Sequence, residues 1–123
     1  MTAAAASVLV VEDEPSLAEL FELWLQADHD VTTVTNGRDG LDALDEAVDI
    51  VVLDWRMPDV SGKEILETIT DTGLSCAVIV VTGIDPEFAE IEPEIDAVLT
   101  KPVDRAELTA VIDDVLATCA VDG

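Results

Sequence analysis

The chain has 123 residues, half of them hydrophobic, and carries 28 acidic residues against 5 Lys and Arg, a formal net charge of −23. That apolar content excludes a disordered acidic tail, since one domain of this size buries roughly two-thirds of its unfolded surface. The charge argues against direct nucleic-acid binding, which needs Lys and Arg against phosphates, and no apolar run approaches the roughly 20 residues of a membrane helix.

Ser7–Val11 (SVLVV) is a continuous apolar run, the pattern of a parallel strand buried on both faces. Pro15 suits a first helical turn, and Leu17, Leu20, Phe21, Trp24 and Leu25 recur at helical spacing, so a helix is predicted over 15–27. Asp30–Val34 (DVTTV) alternates as a weaker strand. Asn36-Gly37 marks a turn, after which Leu41, Leu44 and Val48 line a short second helix. Residues 49–53 (DIVVL) form a third strand that delivers Asp54. The Pro- and Gly-bearing loop 57–62 leads to a third helix containing Ile65, Leu66 and Ile69. Residues 76–82 (CAVIVVT) and 96–99 read as fourth and fifth strands, and 104–118 as a final helix with Leu108, Val111, Ile112 and Val115 on one face. Repeated βα units imply a mostly parallel sheet covered by helices on both sides. The expected organisation is a flexible segment over 1–6, one domain over 7–119 and a tail over 120–123.

Cys76 and Cys119 make no disulfide framework and no zinc pattern. The start of the chain lacks the basic and long apolar stretches of a secretory signal, so a cytoplasmic location is expected. A charge of −23 destabilises a compact state through self-repulsion unless salt screens it. Abundant Asp with almost no Lys therefore points to a halophilic source, with a basic partner surface as the rival explanation.

In parallel α/β sheets the ligand crevice lies beyond the carboxyl ends of the strands. The predicted strands bring Glu12 and Asp13, Asp54, Thr82, and Lys101 with Pro102 to that edge. Clustered carboxylates repel unless a cation joins them, and an all-oxygen set with few protein ligands suits Mg²⁺. Mg²⁺ and Lys101 would offset the charge of a phosphoryl group, the Thr82 hydroxyl would hydrogen-bond it, and Asp54 would be the nucleophile. Taken singly, Glu12 reads equally as a helix cap, Thr82 as a strand residue and Lys101 as a surface lysine. Asp54 is hardest to dismiss, because an uncompensated acid directly after DIVVL is costly.

The stretches VLVVEDEP, VVLDWRMPDVSG, VIVVTG and VLTKP resemble a response-regulator receiver domain of two-component signalling, CheY-like, over nearly the whole chain. That resemblance implies a flavodoxin-like, doubly wound five-stranded parallel sheet of order 2-1-3-4-5. It also implies that Asp54 is the phosphoacceptor and that Mg²⁺ is bound by Asp13, by Glu12 largely through water, by Asp54 and by the backbone carbonyl of Arg56. Thr82 would be the switch hydroxyl, Lys101 the phosphoryl partner and Lys101-Pro102 a cis bond. Pro58 and Gly62 fit the loop after the acceptor strand. The phosphoryl donor would be a sensor histidine kinase or a phosphotransfer protein, and the output an unknown partner or a further domain. Such a domain promotes its own phosphorylation rather than turning over a separate substrate.

The sequence departs from the family pattern where an aromatic reporter is usual, since Val98 stands there, and Val103 replaces the aromatic after Lys-Pro. Between Thr82 and Lys101 the chain is short and carries Pro86 and Pro93, so the fourth helix is expected to be shortened or irregular over 86–95. Ile84, two residues past Thr82, would shield an acyl phosphate from water, a hypothesis that fails if Ile84→Asn loses phosphate no faster than wild type. Three alternatives stand beside this reading. A flavin or nucleotide binder needs phosphate-cradling donors where this chain has Glu12-Asp13-Glu14. A metal-dependent phosphatase would favour a second acid at position 56, and a degenerate receiver would act only as a protein-binding module.

Overall fold

The computed structural model describes residues 6–57, 59–83 and 95–122. Strands and helices alternate in the order β1 (Ser7–Val11), α1 (Pro15–Leu25), β2 (Asp30–Val34), α2 (Gly37–Ala43), β3 (Ile50–Asp54), α3 (Gly62–Thr72), β4 (Ala77–Thr82), β5 (Ala97–Thr100) and α4 (Arg105–Asp122). The strands form one sheet of order β2-β1-β3-β4-β5, every pair parallel. This is the expected doubly wound architecture.

The continuous apolar runs are explained by burial on both faces. Val8 and Val10, Ile50 and Val52, and Ile79 and Val81 point to one side, where Phe21, Leu25, Leu108 and Ile112 from α1 and α4 cover them. Leu9 and Val11, Val51 and Leu53, and Val78 and Val80 point to the other, against Ile65, Leu66 and Ile69 of α3. Alternation within each strand therefore feeds two cores, and neither face leaves room for a polar residue.

Helix boundaries follow local chemistry. Pro15 opens α1 at a position whose N–H has no intrahelical partner anyway. Asn36 caps α2 by accepting from the Asp39 N–H. Ser61 and Glu64 form a reciprocal capping box on α3, and Gly73 ends that helix at φ 73°, which a side chain would strain. Asp104 and Glu107 make the same reciprocal pair at the start of α4. At the opposite sheet edge, the Asp49 and Asp96 carboxylates accept the Ser7 and Val78 N–H groups, closing donors that open where strands begin.

The structure corrects the second helix. It ends at Ala43, and Leu44 already has an extended backbone at φ −68° and ψ 127°. Val48 lies in a turn instead, its N–H donating to the Asp45 carbonyl. Leu41, Leu44 and Val48 nevertheless all pack on the α3-side core. The spacing identified the inward side chains but not the backbone presenting them, and two glycines in seven residues give α2 little intrinsic reason to continue. Helix α1 stops at Leu25, two residues before the expected end, while α4 runs to Asp122. The third, fourth and fifth strands each begin one residue later than expected, so Asp54 closes β3 rather than following it. Of the expected irregular fourth helix over 86–95, all but Ile95 lies outside the described residues, as do Ile84 and Pro58.

Candidate functional site

Parallel register carries the predicted residues to one place. Val11 pairs with Leu53, so Glu12, next in the chain, stands beside Asp54. Asp54 pairs with Val81, and Thr82 follows on the same strand. Thr82 pairs with Thr100, and the Lys101 N–H donates to the Thr82 carbonyl at 2.7 Å. The Lys101-Pro102 bond is cis, as expected.

Glu12, Asp13 and Asp54 each bring a carboxylate oxygen within 4.8 Å of the others. Glu12 and Asp54 are almost fully buried, with 1% and 5% of their surfaces exposed, and Thr82 is equally enclosed. Lys101 reaches over both acids, its Nζ 3.5 Å from Glu12 Oε2 and 3.7 Å from Asp54 Oδ2. The Glu14 N–H donates to Glu12 Oε2, and the Arg56 N–H donates to Asp54 Oδ1 at 3.4 Å. One ammonium does not balance the cluster. Burial, followed by hydrogen bonding to Asp13 and Glu12, pushes the Asp54 carboxyl up to about 8 despite Lys101. Burial also raises Glu12, against the lowering effects of Asp54 and Lys101.

The donor set fits a hard divalent cation. Glu12 Oε1 is buried with no hydrogen-bond partner among the described residues, an arrangement that a structure tolerates poorly unless something else takes the lone pair. The remaining donors are carboxylate oxygens, the preference of Mg²⁺, and Asp13 lies on the solvent side where water ligands have access. Among the described residues these three acids could hold a metal ion.

The loop after β3 is locked to its surroundings in a way the sequence did not disclose. The Gly62 N–H donates to the Trp55 carbonyl, and a Cβ on Gly62 would lie 2.8 Å from Trp55 Cα and 2.9 Å from the Asp54 carbonyl oxygen. Asp59 accepts the N–H groups of Gly37 and Arg38, so the loop also caps α2. Backbone hydrogen bonds from Val60 first, then Arg38 and Gly37, hold the Asp59 carboxyl below the usual aspartate range. Only the Gly62 signal was visible beforehand, because Asp59 and Gly37 lie 22 residues apart. Val98, where an aromatic is usual, is half-buried and packs with the α3-side core.

The model of the response regulator receiver domain family matches residues 8–113. A "putative transcriptional regulator" of Haloferax volcanii is 39% identical over 115 residues, covering 93% of this chain but 20% of that protein. The transcriptional regulatory protein GlrR of Escherichia coli is 34% identical over 116 residues, covering 90% of this chain and 26% of its own length. The chain thus spans about a fifth to a quarter of these curated relatives. Among solved structures, the signal receiver domain of a putative Luxo repressor protein from Vibrio parahaemolyticus superimposes with a TM-score of 0.88 at 25% identity, covering 96% of this chain and 95% of that one.

Proposed function

Since the chain belongs to the response regulator receiver domain family, we propose that it is a phosphoacceptor switch that takes a phosphoryl group onto Asp54 in a Mg²⁺-dependent reaction. One observation carries this reading: a buried strand-end aspartate shares its crevice with two further acids and a lysine, a collection that folding alone does not favour.

In this reading an Asp54 carboxylate oxygen attacks the phosphorus of the donor. A new P–O bond forms as the donor's bond to phosphorus breaks, and the leaving group departs with the bonding electron pair. Lys101, already beside Asp54 Oδ2, pairs with the incoming phosphoryl oxygens. Thr82, enclosed one residue beyond the partner of Asp54, offers its hydroxyl to the same group. Glu12, Asp13, Asp54 and the Arg56 backbone carbonyl would hold Mg²⁺, which supplies charge neutralisation for the phosphoryl oxygens. Asp54 must be ionised to attack, so the positive charge gathered around it sets the fraction competent at neutral pH.

The donor is a sensor histidine kinase or phosphotransfer protein, and the phosphorylated state alters binding to an output partner or a further domain. A cytoplasmic location is part of this proposal. No described helix is long and apolar enough to cross a membrane. The test is intact mass in high salt after Mg²⁺ and acetyl phosphate. Wild type should gain about 80 Da, the mass of one phosphoryl group on a carboxylate nucleophile, and Asp54→Asn should gain none. Equal labelling of both, or of neither with Mg²⁺ bound, would refute the assignment.

A further inference from the structure

All five Lys and Arg residues stand at one end of the molecule. Arg38 is the second residue of α2, Arg56 follows β3, Lys63 is the second residue of α3, Lys101 follows β5, and Arg105 opens α4. Each therefore lies at the carboxyl edge of the sheet, around Asp54. The segments that return from helix to strand, 26–29, 44–49 and 73–76, contain Asp28, Asp45, Glu46 and Asp49 and neither Lys nor Arg.

Helix stability does not explain this placement. A helix favours cations at its C-terminus and disfavours them in its first turn. Here the last turn of every described helix lacks a basic residue, while Lys63 and Arg105 sit in the first turns of helices 11 and 18 residues long. Ion pairing does not explain it either. Arg38, Arg56, Lys63 and Arg105 are all exposed, and none forms an ion pair with a described residue, although the chain carries 28 acids. Backbone contacts tie them to the site. The Arg38 N–H is held by Asp59, and Lys63 adjoins Gly62, which packs on the backbone of Asp54 and Trp55.

We propose that Arg38, Lys63 and Arg105, with Arg56, form a docking ring for the protein that delivers the phosphoryl group, and that this partner presents carboxylates around its phosphorylated residue. The inference rests on the phosphoacceptor reading and adds the chemistry of the donor's surface. A chain of charge −23 repels any acidic partner from every direction except one that offers local cations. Exposed guanidinium groups suit that purpose, because they engage carboxylates through two parallel hydrogen bonds. Such contact pairs persist at short range where salt removes long-range steering.

The test compares wild type with an Arg38→Gln, Lys63→Gln, Arg105→Gln variant; Arg56 stays, because its backbone belongs to the candidate metal site. The protein donor is whichever autophosphorylated sensor kinase of the source organism transfers fastest to wild type in a purified panel. Transfer from that kinase should be about tenfold slower in the variant. Labelling by acetyl phosphate should be unchanged, and the variant should melt no lower than wild type because cations have left helix N-termini. Unchanged kinase transfer overturns the ring. Equal slowing with both donors overturns it too, since the cations would then act on the phosphoryl group itself. Self-association of wild type that the variant loses, without any change in transfer, would instead assign the ring to the acidic far edge of a second copy. Failure of acetyl phosphate to label wild type would refute the phosphoacceptor reading itself, a separate result.

Discussion

In metal-free buffer at pH 8, Asp54→Asn is expected to melt about 10 °C above wild type, a gain of roughly 2–3 kcal/mol for a domain of this size. The reason is the enclosure of Asp54 beside Glu12 and Asp13 with only Lys101 in reply. In the folded, metal-free protein its carboxyl is pushed up to about 8, whereas the unfolded chain ionises it near 3.8. Between those values the native state holds a proton that the unfolded state has released, so stability falls as pH rises through this window. Asn carries no such charge. The gap between variant and wild type should therefore be small near pH 5 and widen toward pH 8, less what Lys101 loses with its partner. Adding Mg²⁺ at pH 8 should raise wild type and leave the variant nearly unmoved, closing the gap. Thermal unfolding of both proteins at pH 5 and pH 8, with Mg²⁺ and with chelator, reads this directly. A gap independent of pH and Mg²⁺ would show that the acids are not electrostatically strained.

Gly62→Ala is expected to lower stability by about 1–3 kcal/mol, the usual range for forcing an atom into closed packing. The added Cβ would meet Trp55 Cα at 2.8 Å and the Asp54 carbonyl oxygen at 2.9 Å. Both are backbone atoms at the root of the site, and neither can swing aside as a flexible side chain would. Relief must come from shifting the segment that carries Asp54 and Arg56. Labelling by acetyl phosphate should then fall by about tenfold or more, since displacements near 1 Å at a reacting group can cost about a hundredfold. Gly73→Ala provides the contrast. Its Cβ would meet nothing within 4 Å, but its φ of 73° penalises a side chain. It should cost about 1 kcal/mol and leave labelling intact. If the two substitutions impair labelling equally, Gly62 has no special role at the site.

Much of the fold was legible because burial on both faces writes itself into composition. VLVV, IVVL and AVIVV admit no polar residue, since alternate side chains enter opposite cores. The site was legible for a related reason. Glu12, Asp13, Asp54, Thr82 and Lys101 each stand where an apolar strand ends, and parallel strands deliver all their carboxyl ends to one edge. The haloarchaeal relative agrees with what the acidic surplus implied. The end of α2 was not legible, because Leu41, Leu44 and Val48 satisfy helical spacing whether or not the backbone stays helical.

Sequence by itself determined the layering, the acids at the strand ends and the family, all of which depend on local pattern and on the handedness of βα units. Tertiary structure alone decided the quantities that arise between segments distant along the chain. It left Glu12 Oε1 buried without a partner among the described residues and set Lys101 between two acids. It fastened the loop after β3 to α2 through Asp59, and it gathered the chain's few cations around Asp54 while leaving four of them exposed. The physical reason is that a strand or helix is specified by neighbours within a few residues. Desolvation, charge balance and close backbone approach depend instead on which distant groups the fold packs together.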